Sequence, residues 1–128
     1  MRALLDTHAF LWWISDDRRL SDRAREVIAD GNNELFFSAA SGWEISIKAG
    51  LGRLEVPDNL ERFIPDQLSR NAITALPIYL RHALHTRTLP DHHRDPFDRI
   101  LITQALLEEM PLLSADPEIA RYPVEVVW

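Results

Sequence analysis

Cysteine is absent from the chain, and with it go disulfides, thiolate metal ligands and cysteine nucleophiles. That absence suits a reducing cytoplasm. Long apolar runs are missing as well. Ala3-Leu4-Leu5 is cut short by Asp6, Thr7 and His8, and the later stretch from Ala9 to Ile14 covers only six residues. Neither makes a signal-peptide core or a membrane span. A basic excess is lacking too: fourteen Lys and Arg face twenty Asp and Glu, for a formal charge of −6. Wholesale attraction to nucleic-acid phosphates is therefore not favoured by the bulk charge. Lysine occurs once, as Lys48. There is no linker, repeat or low-complexity segment, so 128 residues at 46% apolar content predict one compact domain over residues 1–128.

What is present alternates. Short apolar runs at Ala3–Leu5, Leu35–Phe37, Ala72–Leu76, Leu112–Leu113 and Val124–Trp128 read as strands. Helical character follows at Ala9–Ile14, Ser21–Ala29, Glu44–Leu51, Leu60–Leu68 and Asp98–Leu107, with Gly50 and Gly52 suited to a helix stop. Strands alternating with helices predict an α/β fold with a mainly parallel sheet, whose ligand site lies beyond the carboxyl ends of the strands.

Four acids stand at such positions: Asp6 after the first strand, Glu44 beside Trp43, Ile47 and Leu51, Asp98 at the opening of a helix, and Asp116 after Leu112-Leu113. Each has an ordinary reading. Asp6 or Thr7 can cap a helix, Glu44 can pair with Lys48 for about 0.3–0.5 kcal/mol, and Asp98 can complement a helix dipole for about 0.3–1 kcal/mol. Asp116 before Pro117 can make a turn. The row Trp43, Ile47, Leu51 recurs at helical spacing and is expected to be a buried stripe next to Glu44. Asp98 is expected to share the core-side face of Leu101 and Ile102, with Asp95 as N-cap and Pro96 in the first helical position. Taken together the four differ from the sum of their ordinary readings, because parallel strand ends converge on one edge. Clustered carboxylates repel by about 4 kcal/mol per pair at 4 Å when the effective dielectric is near 20, so a cluster persists by holding a cation. An all-oxygen ligand set selects a hard ion such as Mg²⁺ or Mn²⁺. Phosphodiester hydrolysis is the chemistry suited to such a cleft.

The motifs Leu4-Leu5-Asp6-Thr7-His8, Ser41-Gly42-Trp43-Glu44-Ile45, Asp95-Pro96-Phe97-Asp98-Arg99-Ile100-Leu101-Ile102 and Leu113-Ser114-Ala115-Asp116, in this order, resemble the PIN-domain ribonucleases, and in particular the VapC-like toxins of type II toxin–antitoxin systems. The resemblance spans essentially the whole chain. It implies a three-layer α/β/α domain and a catalytic metal site of Asp6, Glu44, Asp98 and Asp116, holding one or two Mg²⁺ ions and cutting RNA. It implies, too, a cognate antitoxin that blocks the site. Thr7, Asp95 and Ser114 would support the acids from behind, Ser114 standing where the family often has threonine.

The stretch from Arg81 to Arg99 holds four of the five histidines together with Arg87, Arg94 and Arg99. These three arginines are expected to contact RNA phosphates, against the alternative of an ordinary solvated surface. His82 and His85, three apart, and the adjacent His92 and His93 raise a histidine-ligated metal site, but no carboxylate is spaced with them as such sites require. An aspartyl-nucleophile phosphatase would want a second Asp where His8 stands. A receiver-like regulatory module would want a late lysine. A non-catalytic α/β binding module is the remaining alternative. The six apolar residues from Ala9 to Ile14 would surround their helix, so Trp12 and Trp13 are expected to meet a partner, either the antitoxin or a second copy in a homodimer.

Overall fold

The computed structural model describes residues 1–128. Five strands form a single parallel sheet: β1 (Arg2–Leu5), β2 (Glu34–Ser38), β3 (Ile73–Leu76), β4 (Leu112–Leu113) and β5 (Val126–Val127). The helices are α1 (Thr7–Ile14), α2 (Asp22–Ala29), α3 (Ala39–Gly50), α4 (Leu60–Arg70), α5 (Leu80–His85) and α6 (Pro96–Leu107). The strand order is β3-β2-β1-β4-β5. The chain thus winds outward from β1 in one direction, then returns to place β4 on its other side. That reversal opens a crevice at the carboxyl ends of β1 and β4, the position where open parallel sheets bind ligands. Leu5 pairs with Phe37 on one side and Leu113 on the other, so Asp6 and Ser114 leave neighbouring strands at the same level.

Side chains alternate across the sheet, as strand geometry requires. Ala3, Leu5, Leu35 and Phe37 face a core completed by Ala9 and Phe10 of α1, Val27 and Ile28 of α2, and Leu68 of α4. Leu4 and Leu112 face the opposite core, with Leu101, Ile102 and Ala105 of α6, Ile119 and Tyr122. Two cores on two faces give the expected three layers.

The expected elements are found, with shifted ends. α3 begins at Ala39, five residues before Glu44, because the Ser38 hydroxyl accepts the Ala40 N–H at 3.0 Å and caps the helix there. Ala72 adopts φ 54° and stands outside β3, and β5 is reduced to Val126–Val127. Asp95 caps α6 through the Phe97 and Asp98 N–H groups at 2.9 and 3.1 Å, and Pro96 opens the helix. One expectation is overturned. Trp43, Ile47 and Leu51 are 62%, 38% and 62% exposed, while the buried face of α3 carries Ala40, Ser41, Glu44 and Ile45. The spacing was helical, but it marked the outer face; the inner face is held by polar contacts between Ser41, Glu44 and Thr7.

Candidate metal centre

Asp6, Glu44, Asp98 and Asp116 line one pocket of about 360 Å³, together with Thr7, His8, Trp12, Arg19, Lys48, Asp95 and the Ala115-Pro117 turn. Each acid also performs its ordinary local task. Asp6 Oδ1 accepts the Ala9 N–H at 2.7 Å and caps α1, and Asp116 Oδ1 accepts the Glu118 N–H at 2.9 Å. A carboxylate has two oxygens and about four acceptor sites, so capping does not exhaust it.

Burial pushes the Asp6 carboxyl above its ordinary range, opposed by hydrogen bonds from Ser114 and from the Ala9 N–H and by nearby His8, while the charge of Asp116 adds to the rise. Asp98 is pushed up to about 6, first by burial and then by the charges of Asp95 and Asp116, with His93 opposing. Asp116 therefore acts electrostatically on both Asp6 and Asp98. Ser114 joins the same group: its Oγ accepts the Asp116 N–H at 3.1 Å while its hydroxyl serves Asp6.

Glu44 lies in different company. The Thr7 hydroxyl donates to Oε1 at 2.6 Å, with Ser41 2.9 Å behind it, and Lys48 pairs with Oε2. The i+4 pair read from the sequence is real, but its carboxylate is buried rather than solvated. No three acidic or histidine side chains stand close enough together to enclose an ion. The donor set nevertheless fits a hard divalent cation: Asp6, Asp98 and Asp116 present only oxygens to one cavity, with like charges unrelieved by any basic partner except His8 and His93.

The expected arginines do not gather here. Arg87 and Arg94 are exposed and line no part of this pocket. Arg99 is committed inward: its guanidinium donates to the carbonyls of Pro90 at 2.9 Å and Thr86 at 3.1 Å and to the Tyr122 hydroxyl at 3.0 Å. Those donors are already engaged, so turning them to an RNA phosphate would cost the bonds they make. The basic groups that line the acid pocket are His8, Arg19 and Lys48. Arg19 is held by Asp17 through two bonds of 2.8 and 3.1 Å and lies over the Trp12 ring at 5.0 Å. Sequence reasoning missed it, because nothing in Asp16-Asp17-Arg18-Arg19 signals nearness to Asp6. His93, also missed as a contact of the site, meets Asp98 Oδ2 at 3.1 Å.

His82 is fully buried and occupied by the Tyr79 N–H and Gln104 at its Nδ1 and Glu108 at its Nε2. It is a core histidine, not a metal ligand. Trp13 is tied to Asn71, its indole N–H donating at 2.9 Å, and packs half-buried against the core as Trp12 does. Trp12, edge-on to Trp128, lines both the acid pocket and an adjoining groove with Leu11, Ile14, Val56 and Phe63.

Among curated proteins the chain is similar to Ribonuclease VapC16 of Mycobacterium tuberculosis (strain ATCC 25618 / H37Rv), 33% identical over 66 residues. That alignment covers 52% of this chain and 47% of the relative, less than half of the latter's length. Among solved structures it is similar to a chain of VapBC2 from Rickettsia felis bound to a DNA fragment from their promoter, at a TM-score of 0.70 and 16% identity, covering 98% of this chain and 97% of that one. A chain of FitAB bound to the IR36 DNA fragment matches at a TM-score of 0.57 and 16% identity, with 97% and 92% covered. The model of the PIN domain matches residues 3–125, and with the strand reversal and the acid pocket in place the chain belongs to the PIN domain family.

Proposed function

We propose that this protein is a Mg²⁺-dependent endoribonuclease, with Mn²⁺ able to substitute, serving as the toxin of a type II toxin–antitoxin pair in the cytoplasm. The observation that carries the reading is the convergence of Asp6, Asp98 and Asp116 on one pocket, with the Asp6 and Asp98 carboxyls raised by burial and by the charge of Asp116. Asp6, Asp98 and Asp116 would hold the ion, with Glu44 beside them. A bound divalent ion supplies Lewis-acid activation of water and charge stabilisation at a phosphate. The chain's own groups do the rest. The caps and Ser114 fix Asp6 and Asp116, Thr7 orients Glu44, and Lys48, Arg19 and His8 place positive charge where an RNA phosphate would approach.

The antitoxin reading rests on the groove along α1. It shares His8, Trp12 and Arg19 with the acid pocket, so a peptide lying in it would cover the approach to the acids. The similar folds were solved as chains of VapBC2 and FitAB complexes, which supports a protein partner. The exposed row Trp43, Ile47 and Leu51 supports a homodimer as the second association. The deciding experiment is incubation of the purified, partner-free protein with small structured RNAs, with and without Mg²⁺ or Mn²⁺. Cutting that requires the metal is expected, and RNA left intact at saturating metal would refute the nuclease reading.

A further inference from the structure

We infer that His93 is the positioning residue of Asp98, and that its proton is placed by Tyr122 and Arg99 acting behind it. The inference rests on the reading of Asp98 as a metal ligand. Four groups approach the Tyr122 hydroxyl: Arg99 Nη1 at 3.0 Å, the His93 backbone N–H at 3.3 Å, His93 Nδ1 at 2.7 Å and the His93 carbonyl at 3.4 Å. A hydroxyl has two lone pairs and one proton. The guanidinium and the backbone N–H can only donate, so they take both lone pairs. An oxygen so filled has no place for a third donor, and its own proton goes to the nearer of the two remaining groups, Nδ1. Nδ1 is therefore an acceptor, and the neutral ring carries its proton on Nε2. Nε2 faces Asp98 Oδ2 at 3.1 Å.

The tautomer is thus fixed from outside the pocket inward. Arg99 is immobilised by the Pro90 and Thr86 carbonyls, the Tyr122 ring is buried and packed edge-on by His92 at 4.9 Å and His93 at 5.4 Å, and Asp98 Oδ2 receives a proton donor of fixed direction. Asp98 Oδ1 is left for the pocket. Groups that orient a ligating carboxylate commonly change metal affinity about 10–100-fold when removed. The sequence run His92-His93-Arg94-Asp95-Pro96-Phe97-Asp98-Arg99 accordingly holds a ligand, its orienting group and the anchor of that group within seven positions, while Tyr122 comes from the far end of the chain.

The test is Mn²⁺ titration of the full-length protein, followed by calorimetry or by the loss of the free-ion electron paramagnetic resonance signal, with melting temperatures measured beside it. His93→Leu is expected to weaken Mn²⁺ binding about 10–100-fold. His93→Gln, whose amide nitrogen replaces the Nε2 donor, should return affinity to within a few-fold of wild type, and Tyr122→Phe should fall between. Nitrogen-15 spectra of the metal-free wild type should show His93 as the Nε2–H tautomer. An Nδ1–H tautomer, a Gln variant as weak as Leu, or affinities that simply follow the melting temperatures would overturn the inference. Asp98→Asn separates this from the parent reading. If it abolishes Mn²⁺ binding while the His93 variants bind normally, the metal site stands and the relay does not; if Asp98→Asn binds normally, the site itself is wrongly assigned.

Discussion

The two walls of the acid pocket carry the same chemistry under opposite electrostatic conditions. On one wall Asp6, Asp98 and Asp116 line the pocket together, and burial raises Asp6 and Asp98, with the charge of Asp116 adding to both. On the other wall Glu44 is as buried as Asp6, yet both its oxygens are engaged, one by the Thr7 hydroxyl and one by the Lys48 ammonium. The first wall is short of positive charge; the second brings its own. A carboxylate's role in a site is set by who neutralises it, and residue type alone does not reveal that.

Substitution of single acids offers the strongest way to break this comparison. Asp6→Asn or Asp98→Asn should abolish RNA cleavage, a loss of at least about 100-fold for groups that would hold the ion, while the metal-free fold survives or gains slightly as repulsion falls. Glu44→Gln should behave differently, because it strands the Lys48 ammonium beside a neutral amide; metal-free stability is expected to fall by about 1 kcal/mol, discounted for the partial exposure of Lys48. Thermal melts of the three variants in chelator decide it, and equal melting shifts for all three would erase the distinction between the walls. Asp95→Asn should be the mildest of the acid changes for cleavage, since Asp95 Oδ1 is occupied by capping α6.

pH sharpens the same contrast with a smaller effect. Asp98 has its folded value raised from 3.8 to about 6, so its contribution to stability is complete below the unfolded value and is lost as pH rises through about 6. Metal-free protein should therefore lose stability between about pH 4 and pH 6 from this group, and Mg²⁺ should offset the loss by binding the ionised form. Below about pH 6 protons compete with the ion, and Mn²⁺ affinity should drop. Affinity that stays flat from pH 7 to pH 5 would mean that Asp98 is not a ligand.

The smallest expected effect concerns the basic groups. Arg19 borders the pocket and Arg94 does not, so Arg19→Ala should weaken RNA binding and lower its salt dependence by about one counterion's worth. Arg94→Ala and Arg87→Ala should change the slope less, and the reverse order, measured by binding across a salt series, would restore the stretch before α6 as the phosphate-contacting surface.

Much of this protein is legible in its residues taken in order. Short apolar runs identify the strands, Asp95 marks a helix start that the structure caps as expected, and four motifs in sequence order carry the four acids that line the pocket. Local physics suffices there, because capping, turn formation and strand burial depend on neighbours within a few positions. The outward aim of Trp43, Ile47 and Leu51, the inward commitment of Arg99, the tie between Trp13 and Asn71, and the place of Arg19 in the lining of the acid pocket were decided only by tertiary structure. Each turns on a partner distant along the chain or on which of two helix faces meets the sheet, and helical spacing is the same for either face. The sequence by itself determined which acids could meet. Tertiary structure decided which of them would face one another without a counter-charge, because Lys48 lies one helical turn from Glu44 on the same face, whereas the strand reversal brings Asp6 and Asp116 together from opposite ends of the chain.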